Sequence, residues 1–193
     1  MNGTICWQAI WNEAHAGEGI EHLVIEGNRA DSVIVGLSET GAPFRIAYQL
    51  LWDDAWTLRA AKIERWSDGK ARRLDLESDG KGTWRDGKGE ALPHLQGCID
   101  IDIWPTPFTN SFPIRRAPPA GMNNRAEYRM AWVDAITGPE ITVKAMPQGY
   151  TRLEPNLYRY ENLDGSGFTA LLPVDDQGLV VDYQGLFKRI YPR

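Results

Sequence analysis

Apolar and polar residues alternate in short runs along this chain, and Gly, Pro, Asp and Asn cut the runs apart. Over 71–78, Leu74 and Leu76 share one face while Arg73, Asp75 and Glu77 share the other. That is the period of two expected of a strand with one solvated face. The same reading predicts strands over 5–11, 21–26, 32–37, 44–52, 56–66, 97–104, 126–135, 140–146 and 156–161. A hairpin follows, with strands over 168–174 and 179–183 joined at 175–178, and 186–191 forms a last short element. Turn chemistry falls between the runs, at Asp53-Asp54, Ser67-Asp68-Gly69, Asp79-Gly80 and Asp86-Gly87. Helical periodicity is weak, with minor helical turns expected at 13–19 and 90–95.

So many short strands must close or curl, because open sheet edges invite pairing with other chains. The expected fold is all-β: one strongly bent antiparallel sheet or partly closed barrel, able to enclose a cavity. At 193 residues the chain suits a single domain spanning 1–193. A hydrophobic content of 42% supports its core.

Charge removes several functions from consideration. The net charge is −5, with 21 Lys and Arg scattered among 26 Asp and Glu, so no cluster is available to neutralise phosphates. Nucleic-acid binding is therefore not expected. No stretch reaches the ~18 apolar residues of a transmembrane helix, and Met1-Asn2-Gly3-Thr4 lacks the pattern of a secretory signal. The expectation is a cytoplasmic protein whose cysteines, Cys6 and Cys98, are free thiols. His15, His22 and His94 lack metal-ligand spacing, and no nucleophile elbow or phosphate loop is present, so neither metal nor cofactor is implied.

Candidate chemistry concentrates in 97–116, GCIDIDIWPTPFTNSFPIRR. In a strand, Ile99, Ile101 and Ile103 face one way, and Cys98, Asp100, Asp102 and Trp104 the other. Pro105, Pro107 and Pro113 then stiffen an expected loop presenting Thr109, Asn110 and Ser111, neutral groups suited to hydroxyl recognition. Arg115 and Arg116 add forked cationic donors. If extended, they diverge and one alone faces a cavity beside the two carboxylates. The residues leave two readings open: a ligand site, or a buried ionic network that serves the fold. Acid–base chemistry by Asp100 and Asp102 on a carbohydrate or lipid conjugate is a third, disfavoured because an adjacent Arg lowers the pKa of a would-be acid. Tyr158 and Tyr160 share a face suited either to the core or to stacking against a ligand.

Asp100-Ile101-Asp102-Ile103, Pro107-Phe108-Thr109-Asn110 and Pro113-Ile114-Arg115-Arg116 resemble the signature of the bacterial putative glycolipid-binding family. Tyr158-Arg159-Tyr160-Glu161-Asn162, Ser166-Gly167-Phe168 and Val181-Asp182-Tyr183 before Gly185-Leu186-Phe187 extend the likeness over nearly the whole chain. Gln184 departs from it, standing where the family pattern has Pro. The resemblance implies a long, curved antiparallel sheet forming an incomplete barrel or β-roll. It also implies non-enzymatic binding of an amphiphile, a glycolipid or similar molecule. The ligand-binding set expected on that basis is Asp100, Asp102, Thr109, Asn110, Arg115, Arg116, Tyr158 and Tyr160.

Overall fold

The computed structural model describes residues 1–10, 18–38 and 40–192. Its strands, in chain order, are β1 (Asn2–Ala9), β2 (Gly19–Glu26), β3 (Arg29–Leu37), β4 (Pro43–Trp52), β5 (Leu58–Ser67), β6 (Lys70–Ser78) and β7 (Trp84–Asp86). Then come β8 (Asp100–Trp104), β9 (Arg125–Asp134), β10 (Thr142–Glu154), β11 (Leu157–Asn162), β12 (Thr169–Pro173), β13 (Asp182–Tyr183) and β14 (Phe187–Tyr191). They make a nine-stranded sheet, β13-β14-β1-β2-β3-β4-β5-β6-β7, and a five-stranded one, β12-β11-β10-β9-β8. The fold is all-β, with a large antiparallel sheet and a curled half-barrel sheet. The expected helical turn at 90–95 appears at Pro93–Leu95, while most of the one at 13–19 lies outside the described residues.

Turn chemistry sets the registers of the large sheet. Ser67 pairs with Lys70 across a two-residue loop. Asp68 and Gly69 there both take positive φ, 52° and 70°, as a type I′ hairpin requires. A different loop recurs at Asp53, Asp79, Asp86 and Asp175, whose Oδ1 accepts from the backbone N–H groups two and four residues on. The residue three places after each Asp has positive φ: Trp56, Gly82, Gly89 and Gly178. Trp56 bears this conformation as a non-glycine, at φ 60°. Its ring is fixed by Trp52 at 5.0 Å, by Phe112 at 5.6 Å and by the Arg115 guanidinium at 4.1 Å.

One ladder differs from the antiparallel expectation: β8 pairs with β9 in parallel, Asp102 opposite Trp132. Parallel neighbours need a crossover, usually helical. The connection 105–124 supplies it with a 3-10 turn, Phe108–Asn110, and a short helix, α1 (Ser111–Arg116). The proline-stiffened loop expected here is thus helical. Its prolines do not prevent this, since Pro107 precedes the 3-10 turn and Pro113 lies in the first turn of α1, where backbone N–H groups have no intrahelical acceptor.

The crossover also bridges the sheets. Toward the large sheet, Phe108 and Phe112 meet Trp52 at 6.0 and 5.6 Å, and the Thr106 hydroxyl bonds Glu21 and lies 3.3 Å from that of Tyr48. Toward the small sheet, Thr109 donates to Asp102 and Asn110 accepts from Tyr150. Side chains of the chain itself therefore occupy the concave side, where an enclosed cavity was expected. At the other end the sheets approach through Val181 N–H to Pro173 O, 2.8 Å. There Gln184 exchanges bonds with Leu171, donating from its backbone N and accepting at Oε1. A Pro at 184 would lose that donor, while Gly185 at φ 76° supplies the positive φ a type II turn needs.

Phe112→Ala is expected to lower stability by about 3–5 kcal/mol, the usual cost of truncating a fully buried aromatic. Denaturant unfolding measures this, and an effect below about 1 kcal/mol would remove the crossover from its bridging role.

Candidate functional site

On β8 the two carboxylates have different partners. Asp100 is wholly buried, and Arg116 grips it with both prongs, Nε to Oδ1 at 2.9 Å and Nη2 to Oδ2 at 2.6 Å. Burial raises the Asp100 pKa, with Arg116 pulling it back. The net rise differs from the lowered value expected beside an Arg. Arg115, one step round the helix, points elsewhere: it stacks over Trp56 at 4.1 Å and donates to Gln177 O. The two arginines diverge as expected, by helical rotation rather than strand alternation.

Asp102 is half-buried and accepts from two neutral donors, the Thr109 hydroxyl at 3.1 Å and the Gln148 amide at 2.5 Å. Burial raises its pKa too, against these bonds. Thr109 Oγ1 also accepts from Ile103 N–H at 3.1 Å, tying the turn to the strand. Asn110 Oδ1 accepts from Tyr150 at 2.8 Å.

Beside Asp102 opens a cleft of about 300 Å³. Asp102, Asn110, Tyr160, Asn162 and Asp164 give it polar atoms, and Lys144 a cation. Its apolar lining includes Ile103, Trp104, Met146, Phe168, Leu186 and Phe187. Rings run continuously along it, Trp104–Phe187 at 6.0 Å, Phe187–Tyr183 at 6.2 Å, and Tyr183–Tyr160 at 5.9 Å. Wall residues come from β8, β9, β10, β11, β13 and β14, which sequence reading had no means to juxtapose.

The eight expected ligand residues thus separate. Asp102, Asn110 and Tyr160 meet at the cleft. Arg115 and Tyr158 share a different groove with Trp56 and Asp175. Asp100, Thr109 and Arg116 form the layer behind Asp102 and α1. His22 and His94 are exposed, and His15 lies outside the described residues. Both cysteines are free. Among the described residues, no group of three His, Cys, Asp or Glu side chains is placed to hold a metal ion.

Sequence reading missed Glu21. It is fully buried in β2, and its Oε1 accepts from Tyr48, Ser32 and Thr106 while Oε2 has no partner. Burial lifts its pKa to about 7, although the three hydroxyl donors oppose the shift. A signal was available: Glu21 shares strand parity with Leu23 and Ile25, which face the core. Through Thr106, which also lines the cleft, the Glu21 network adjoins the candidate site.

A family model described as "Putative glycolipid-binding" matches residues 8–189. The chain is also similar to a solved crystal structure of a DUF1089 family protein from Pseudomonas aeruginosa, with 48% sequence identity and a TM-score of 0.84. That match covers 90% of this chain and 92% of the other. No curated protein matches.

Two substitutions separate the buried groups from the cleft. Arg116→Met leaves Asp100 charged and unpaired, an expected loss of about 3–5 kcal/mol, whereas Arg115→Met is expected to cost only about 0.5–1 kcal/mol. Chemical denaturation of both variants checks the contrast. For Glu21, the folded pKa of about 7 lies above the ordinary 4.5. The folded state therefore holds a proton that the unfolded chain releases, and stability falls as pH rises from about 4.5 to 7. Glu21→Gln removes this slope, so its stability relative to wild type should grow by about 3 kcal/mol across that window. A pH-independent difference would contradict the raised pKa.

Proposed function

This chain belongs to the putative glycolipid-binding family, and from that premise we propose that the cleft beside Asp102 holds part of an amphiphile of glycolipid type, without chemical turnover. The observation that supports this most is the pairing of an aromatic and aliphatic lining with a carboxylate that retains acceptor capacity. A carboxylate offers about four lone-pair sites, and Thr109 and Gln148 each use one on Asp102. The rest suit head-group hydroxyl or N–H donors. Trp104, Leu186 and Phe168 offer apolar contact to an acyl chain, at about 0.8 kcal/mol per buried methylene.

At about 300 Å³ the cleft is at the small end of ligand sites, sized for one ring and a length of chain rather than an entire two-chain lipid. In this reading Asp102, Asn110 and Tyr160 contact the ligand, and Asp100, Thr109 and Arg116 position β8 and the crossover behind them. Arg115 and Tyr158 lie in their own groove and are not assigned to the ligand. A catalytic couple of Asp100 and Asp102 is not adopted, because Asp100 is enclosed by its bond to Arg116 and does not line the cleft.

Decyl glucoside below its micellar concentration is expected to form a one-to-one adduct with the full chain in native mass spectrometry. Trp132, on the cleft wall beneath Lys144, is the test residue. Trp132→Ala should weaken the adduct at least about tenfold with the fold intact. Equal binding by a folded Trp132→Ala protein would dismiss the cleft as the site.

A further inference from the structure

We infer that the head group this cleft accepts is cationic: a protonated amine or ammonium on an amphiphile, seated against Asp102 among the aromatic rings. The inference rests on the amphiphile reading above and goes further by assigning the charge of the ligand.

The two carboxylates of β8 are partnered unequally. Asp100 has its cation within the chain, the two-pronged Arg116. Asp102, two residues on and facing the cleft, has only the Thr109 hydroxyl and the Gln148 amide, and no described Lys, Arg or His forms an ion pair with it. A half-buried carboxylate served by neutral donors alone is an incomplete arrangement, because its partial withdrawal from water is offset by hydrogen bonds but by no opposite charge. Its field is felt across the cleft. Burial chiefly, and then the charge of Asp102, push the phenols of Tyr160 and Tyr183 to higher pKa.

The rest of the lining agrees in sign. Asp164 adds a second carboxylate. Lys144 is the one basic residue among the described lining residues; its ammonium sits over Trp132 at 4.8 Å, and its charge acts on Asp164. One negative charge is left in excess. Trp104, Phe187, Tyr183, Tyr160 and Phe168 line the cleft as a packed aromatic row, and aromatic π-systems attract cations and repel anions. A carboxylate or phosphate head group meets repulsion from both sources, and a neutral sugar leaves Asp102 uncompensated.

Isothermal titration of the full chain with decylamine, decyl glucoside and decanoate, all below their micellar concentrations and near neutral pH, separates the three head-group charges on one chain length. Decylammonium is expected to bind at least about tenfold tighter than the glucoside, and decanoate weakest. Raising the salt concentration should weaken the ammonium and leave the glucoside nearly unchanged. Lys144→Met, an exposed substitution that keeps the stem, should tighten ammonium binding by removing a competing cation. Asp102→Asn should erase the preference, and if that variant does not fold, the salt and Lys144→Met measurements still decide. Glucoside binding equal to or tighter than ammonium overturns the cationic head group and leaves the amphiphile reading standing. Ethylamine binding as tightly as decylamine would make the ligand a free amine and overturn the amphiphile reading itself, and silence from every probe would overturn both.

Discussion

Two parallel strands cannot be joined by a tight turn, and that constraint governs this molecule. Because β8 runs parallel to β9, the chain must leave the small sheet at Trp104 and return at Arg125 by a long route. The route it takes is the space between the sheets. Phe108 and Phe112 fill it from the side of the large sheet, against Trp52, and Thr109 and Asn110 bond the small sheet. The crossover is therefore both connection and core. It closes the concave side that a bare half-barrel would leave open, and it decides where the cleft beside Asp102 remains.

The same route distributes the charges. Helix α1 ends with Arg116 within reach of Asp100, so one buried carboxylate is neutralised inside the chain. Asp102 lies one strand period further along, beside the 3-10 turn rather than the helix end, and receives hydroxyl and amide donors instead. Two chemically identical residues on one face of one strand thus acquire different electrostatic roles through what the crossover brings near each. An Arg reaching Asp102 would have paired it from within, as Arg116 pairs Asp100.

Two features work against stability. Glu21 is buried with one oxygen unpartnered, and Trp56 holds a backbone conformation that the equivalent loops assign to glycine. Both touch the crossover, Glu21 through Thr106 and Trp56 through Phe112. Residues in sparsely populated conformations persist where the surroundings over-determine them. Here the surroundings are two rings and a guanidinium for Trp56, and three hydroxyl donors for Glu21.

Local physics made most strands legible. Period-two alternation placed Leu74 and Leu76 on one face of β6, and Asp68-Gly69 marked its hairpin, since both signals act over a few neighbouring residues. The likeness of 97–116 to a known family likewise stood in the sequence, together with the parity that puts Asp100 and Asp102 on one face. Pairing direction did not, because a strand carries the same alternation whether its neighbour runs parallel or antiparallel. Prolines that read as a loop were equally compatible with a first helical turn. The cleft was least legible, for its wall joins Asp102, Trp132, Lys144, Tyr160 and Phe187 from five strands. Alternation tells a residue which face it occupies; only the tertiary structure tells it which residues, far along the chain, share that space, and therefore whether its charge is met by a cation, as at Asp100, or by neutral donors, as at Asp102.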